Sequence, residues 1–209
     1  GVTTNPRTIT IGENNTFTAI FTPTVPLETM VFKQWDRVYG GTGFDQVRSV
    51  QITSDGGSIL VGHSQSGASG NKTSAGNGDW DVWVAKVDRD GGMQWDRSLG
   101  GTAGDFGGAV RQTSDGGYVV AGSSASGATG NKTTANFGSN DGWVVKLDAN
   151  GNKQWEQTLG GSRNDSFGSI QQTIDGGYIV AGVSDSGISG NKTTAGFGDL
   201  DYWVVKLDA

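Results

Sequence analysis

The chain has 209 residues, 37 of them glycine and none cysteine, with a net charge of −6 and a pI near 4.6. That acidic balance argues against nucleic acid or an anionic membrane surface as partner, since both call for a basic patch. Without cysteine there is no disulfide, thiol nucleophile or thiolate metal site, and no run of about eighteen apolar residues marks a helix that inserts into a membrane.

Residues 1–28 stand apart from the rest of the chain. Arg7-Thr8-Ile9-Thr10-Ile11 and Thr16-Phe17-Thr18-Ala19-Ile20-Phe21 alternate and are rich in β-branched residues, with Gly12-Glu13-Asn14-Asn15 between them. This pattern predicts one hairpin. Thr22-Pro23-Thr24-Val25-Pro26 then reads as a stiff linker. The string NPRTITIGENNTFTAIFTP resembles the closing strands of divergent internalin-type B repeats of bacterial surface proteins. The resemblance implies an immunoglobulin-like module whose first strands are missing, and a chain cut from a longer one with other domains as neighbours.

From Phe32 onward a sixty-residue period governs the sequence. DGGSILVG, DGGYVVAG and DGGYIVAG start at Asp55, Asp115 and Asp175. QWDR, QWDR and QWEQ start at Gln34, Gln94 and Gln154, and (S/T)GNKT starts at Ser69, Thr129 and Ser189. The copies divide as 29–93, 94–153 and 154–209. Strict internal repetition of this kind decides the fold class.

Each copy holds four short strand candidates, here a to d. In the first copy, a is Gln46–Thr53, b is Ser58–Gly62 and c is Val82–Asp88; d is Gln94–Gly100, which opens the second copy. Strand a carries small residues (Ser49, Ala109, Ser169, beside Gly108 and Gly168). Strand b is almost wholly apolar and suits burial on both faces. Strand c reads as amphipathic. Strand d carries charges such as Asp96 and Arg97, which protect an edge from aggregation. Small near an axis, buried in the middle and charged outside is what radial sheets demand, so the chain is expected to be all-β and built of β-propeller blades.

DGGYVVAG followed by DGWVVKLDANGNKQWEQTLGG resembles the propeller-type repeats of secreted bacterial and archaeal proteins, over roughly residues 32–209. The resemblance implies an exported or cell-surface protein, often multidomain, and no single activity. Propellers have four to eight blades and three copies are present, so the ring is incomplete, part of a larger one, or completed by a second chain. The alternative fold is a β-trefoil, also three repeats of four strands.

In an up-and-down sheet the a–b and c–d turns share one end, and the d–a and b–c loops share the other. The b–c loop, about Ser64–Asp81 in the first copy, is the longest, so its end is the candidate binding face. Candidate ligand contacts there are Asn71, Lys72, Asn131, Lys132, Asn191, Lys192 and Trp80. Trp80 is replaced by Asn140 and Leu200 in the other copies, so the repeat does not require it. Asp45, Asp105 and Asp165 in the d–a loops, with Asp81, Asp141 and Asp201 before strand c, are candidate ligands for calcium, a hard cation that takes six to eight oxygens. The competing role for each is to hold its own turn.

His63 is the single histidine, and no Ser-His-Asp arrangement can be drawn. The expected function is therefore non-enzymatic display or adhesion, meeting a glycan or a protein through the long loops. Alternatives are the accessory region of a secreted carbohydrate-active enzyme or a calcium-stabilised scaffold.

Overall fold

The computed structural model describes residues 5–10 and 16–21 as backbone and residues 32–208 in full. The chain divides into two compact units, Gly1–Asp36 and Arg37–Ala209. In the first, β1 (Asn5–Thr10) and β2 (Thr16–Phe21) pair antiparallel, with Asn5 opposite Phe21 and Thr10 opposite Thr16. The expected turn at 12–15 and linker at 22–26 lie outside the described residues.

The second unit is all-β, three antiparallel up-and-down sheets. The first blade runs β3 (Asp45–Ile52), β4 (Ser58–Ser64), β5 (Asp81–Val87), β6 (Met93–Leu99) in that spatial order. The second runs β7 (Asp105–Gln112), β8 (Tyr118–Ser124), β9 (Asp141–Leu147), β10 (Lys153–Leu159). The third has three strands, β11 (Asp165–Gln172), β12 (Tyr178–Ser184) and β13 (Asp201–Leu207). They are propeller blades and do not close into a ring. A trefoil is excluded, because its repeats share one barrel, whereas each sheet here is complete in itself. Sequence repeats and blades are offset by one strand: β6 opens the second repeat but pairs with β5 of the first.

That offset explains one departure from expectation. By the sixty-residue period Gln34–Gly40 corresponds to the strand d of Gln94–Gly100, but residues 32–41 form no strand. Its partner would be the strand c of a preceding copy, and the described residues contain none. A backbone ladder needs two sides.

The blades hold together face to face. Ile59, Val61, Val82, Val84 and Leu99 of blade one pack against Val110, Tyr118, Val120, Trp143, Val145 and Leu147 of blade two. Ala109, Val119, Ala121, Val144 and Leu159 of blade two then meet Phe167, Ile170, Tyr178, Val180 and Trp203 of blade three. Each buried Val contributes about 1.5–3 kcal/mol. Among the described residues the two outermost faces have no such cover. Ile179, Val204 and Tyr202 of blade three are 40, 58 and 94% exposed. Blade one bears an apolar groove of about 270 Å³ lined by Val47, Leu60, Trp83 and Ala85.

In blades one and two strand c is not amphipathic as expected, whereas β13, with one face uncovered, does alternate. All seven residues of β5 and of β9 are buried, Lys86 and Lys146 included. The repeated Asp-Gly-Gly turn accounts for these lysines. Lys86 Nζ lies 2.9 Å from Asp55, Lys146 2.8 Å from Asp115 and Lys206 2.9 Å from Asp175. The same aspartates accept the Gly57, Gly117 and Gly177 amides. A Cβ on Gly117 would stand 2.3 Å from the Leu147 carbonyl and 2.6 Å from the Lys146 amine, so nothing larger fits. The glycine that ends the motif has its own cause. Each strand a carries a β-bulge, at Arg48, Gly108 and Gly168. Its backbone presses on strand b, where a Cβ on Gly122 would meet the Phe106 carbonyl at 2.0 Å.

The Lys146 bond, then that of Thr113, holds the Asp115 carboxyl down to about 2 from an ordinary 3.8. Asp175 likewise falls to about 2, through Thr173 and then Lys206. A folded-state value below the unfolded one means stability that is complete above the unfolded value and lost as pH falls through the folded one. The melting temperature should therefore decline from about pH 4 towards pH 2, and Asp115→Asn should flatten part of that decline. Because Asp115 is 55% exposed, screening limits its share to about 1 kcal/mol or less. Melting curves across that range, wild type against variant, check it.

Candidate functional site

The b–c loops, residues 65–80, 125–140 and 185–200, share an end of the unit with the d–a loops. Asn131 spans the two. Its Oδ1 accepts the Gly100 amide at 2.9 Å and its Nδ2 donates to the Ser98 carbonyl at 2.8 Å. Asn71 does the same with Gly40 (2.9 Å) and Val38 (2.7 Å), and Asn191 with Gly160 and Thr158 (both 2.9 Å). Asn131 and Asn191 thus copy a strand's donor and acceptor and clasp the end of strand d, and Asn71 makes the same pair of bonds to residues 38–40, which form no strand.

The lysines next in the chain are internal. Lys72, Lys132 and Lys192 are 2, 2 and 4% exposed, and each amine lies 5.9 Å from the ring centre of Trp83, Trp143 or Trp203. Lys72 Nζ donates to Ser98 Oγ at 2.7 Å and to the Ser74 carbonyl at 2.6 Å. Lys132 reaches Asn136 Oδ1 at 3.0 Å. Burial lowers the Lys72 and Lys132 amines, and neighbouring carboxylates partly restore them. Of the expected ligand contacts, Lys72, Lys132 and Lys192 are buried, and Asn71, Asn131 and Asn191 hold loops on blades through their side-chain amides. Asp96, expected as an edge charge, is 1% exposed. It accepts Ser74 Oγ at 2.6 Å and Trp83 Nε1 at 2.9 Å, and despite burial these bonds and those of Thr73 keep it at about 2.

The six candidate metal ligands also hold turns. Asp45, Asp105 and Asp165 each accept a glycine amide four residues back (Gly41, Gly101, Gly161) at 2.8 Å and a serine hydroxyl (Ser66, Ser126, Ser186). Asp81, Asp141 and Asp201 accept the amides of Asn77, Phe137 and Phe197 at 2.7, 2.7 and 2.6 Å. The structure does bring acids together across blade junctions. Asp81 faces Asp105 over Gly100, and Asp141 faces Asp165 over Gly160. Burial raises Asp105 and Asp141, and the facing carboxylate adds to it. Among the described residues no three acid or histidine side chains form a group suited to a metal ion.

One constellation departs from the repeat. Phe44, His63 and Trp80 of the first copy meet Phe106 of the second. Trp80 lies 5.8 Å from Phe44, 5.2 Å from His63 and 6.1 Å from Phe106, and His63 lies 5.0 Å from Phe106, the His63 contacts edge-to-face at 75° and 79°. The sixty-residue equivalents of Phe44 are Gly104 and Asn164, those of His63 are Ser123 and Val183, and those of Phe106 are Gln46 and Ser166. Folding a blade therefore requires none of them. Phe44 is 63% and Phe106 36% exposed, so the cluster presents aromatic surface to solvent. His63 is 5% exposed and its Nδ1 has no partner. Burial, then the charge of Arg48, lowers its pKa, so the imidazole is neutral at pH 7. Trp80 was legible as repeat-breaking. Phe106 was not, because its partners come from another copy.

Asn131→Ala should lower stability by about 1–3 kcal/mol, the range for leaving buried backbone groups unpaired. Lys132→Met should lower it less, since the aliphatic stem is replaced. Denaturant titration of both variants checks the order.

Comparison with known proteins adds little to this geometry. No family model matches the chain, and no curated protein does. A solved protein of unknown function from Bacteroides caccae is similar over 78% of this chain, with a TM-score of 0.38 and 13% identity. The chain spans 45% of that protein's length.

Proposed function

We propose that the protein is a non-catalytic binding module of an exported or surface protein, and that it holds a glycan at the long-loop end. The carrying observation is the cluster of Phe44, His63, Trp80 and Phe106. Sugar rings present C–H faces to flat aromatic surface, and concave sites built for ligands combine such surface with a few polar groups. Its position between blades one and two, on rigid strand ends rather than loop tips, suits recognition by a preformed surface. The chemistry of the site favours binding over turnover: its one histidine packs among rings and has no hydrogen-bonded nucleophile or orienting acid beside Nδ1, whereas general-base work needs such a partner in reach. The bare faces of blades one and three suit further copies of the same repeat, whether from one polypeptide or two, because their equivalents inside the chain already fit each other.

Affinity electrophoresis of the whole protein in gels containing xylan, pectin or mucin tests the reading. One of these polymers should retard the wild type. Phe44→Ala, at a 63% exposed position, should weaken that retardation about tenfold, in line with the loss of one aromatic contact, while its melting temperature stays put. Equal retardation of variant and wild type would place the binding elsewhere.

A further inference from the structure

Beside the aromatic cluster lies an open cleft of about 410 Å³. Arg48, His63, Phe106, Gly107, Gly108, Ser123, Phe167 and Gly168 line it. Three observations converge there. First, Arg48 sits on the β-bulge of strand a, a device that re-aims a side chain; the equivalent bulge residues are Gly108 and Gly168. Gly108 is forced, since a Cβ would meet the Phe167 carbonyl at 2.4 Å, but Gly168 has open space where its Cβ would be. One long cation thus faces two glycines. Second, among the described residues Arg48 has no carboxylate partner. The acid nearest on its own strand, Asp45, is held by Gly41, Ser64 and Ser66. Third, His63 Nδ1 is buried without a partner although its ring lines the cleft. Buried polar atoms are nearly always hydrogen-bonded, and an exception asks for a cause.

From this geometry we infer that the cleft takes an acidic sugar residue. Its carboxylate meets the Arg48 guanidinium, whose planar fork suits that group. A hydroxyl satisfies His63 Nδ1, with Ser123 as a second polar contact. The ring's C–H face lies against Phe106, whose ring is 36% exposed. The cleft volume admits one such ring within the several-hundred-Å³ range of ordinary ligand sites. The inference rests on the glycan reading and narrows it, adding a charge requirement that the aromatic cluster alone does not impose.

Because His63 is the chain's single histidine, its imidazole C–H signals report the cleft directly in NMR spectra of the untagged protein. Titration with D-glucuronate should shift them saturably, and D-glucose and acetate should each bind at least roughly tenfold more weakly. Arg48→Gln should weaken glucuronate roughly ten- to a hundredfold, the scale of a charge-assisted hydrogen bond. Gly168→Glu, which fills open space with a competing carboxylate, should do the same, so the result does not hang on one variant. Glucose binding as tightly as glucuronate would overturn the acidic preference and leave the glycan reading standing. Acetate binding as tightly would overturn the sugar. An unmoved His63 in a protein that polysaccharide still retards through Phe44 would overturn the cleft alone. Binding indifferent to both variants would also sink the proposal, and an unmoved His63 with no retardation by any polymer would remove it together with the reading beneath it.

Discussion

No blade of this protein can bury its own faces. A blade's middle strands are apolar on both sides, so each needs a neighbour on both sides, and that requirement organises everything else. It explains why residues of adjacent copies, Val84 with Trp143 and Val144 with Trp203, share cores. It explains why strand b reaches full burial in the second blade alone, the one blade covered twice. It also explains the gradient at the ends, where Val204 is 58% exposed and its equivalent Val144 is fully buried. Identical chemistry is core in one copy and surface in the next purely by position in the stack.

Much of this could be read from the residues, and the reasons for the rest are physical. Period and polarity gave the blades, because burial on two faces leaves a continuous apolar run that anyone can see. The roles of the polar motifs were hidden, since they depend on partners some twenty to thirty residues away. Asp115 opens a turn motif that carries no sign of Lys146, which pairs with it from 31 residues away. Asn131 and Lys132 looked like loop-tip residues because polar side chains usually face water. Here the asparagine imitates a strand and the lysine lies along an indole, each satisfied inside the protein. Asp96 misled for the same reason: a carboxylate on an outer strand is normally solvated, unless a loop folds over it with hydroxyls and amides in hand.

The candidate site obeys the opposite logic. Residues that make a blade must recur every sixty positions, whereas those that recognise something need not. Trp80 stood out from the sequence on that ground. His63 and Phe44 break the repeat as well, yet nothing in the sequence says that they touch Trp80, or that Phe106 from the second copy completes the set. Arg48 was the least visible of all. It falls on a bulge, and an extra residue in a strand leaves no mark on an alternating pattern that is already weak.

The asparagine clasp bears on how the chain reaches this structure. Asn131 binds Gly100 and Ser98, close behind it in the chain, and every junction core joins neighbouring copies. These contacts stay within one or two copies, and the entropy of closing a loop grows only slowly with its length. Each copy can therefore settle onto the one before it as soon as it is made. The array would grow in the direction of synthesis, and the bare face of its newest blade would serve as the template for the next.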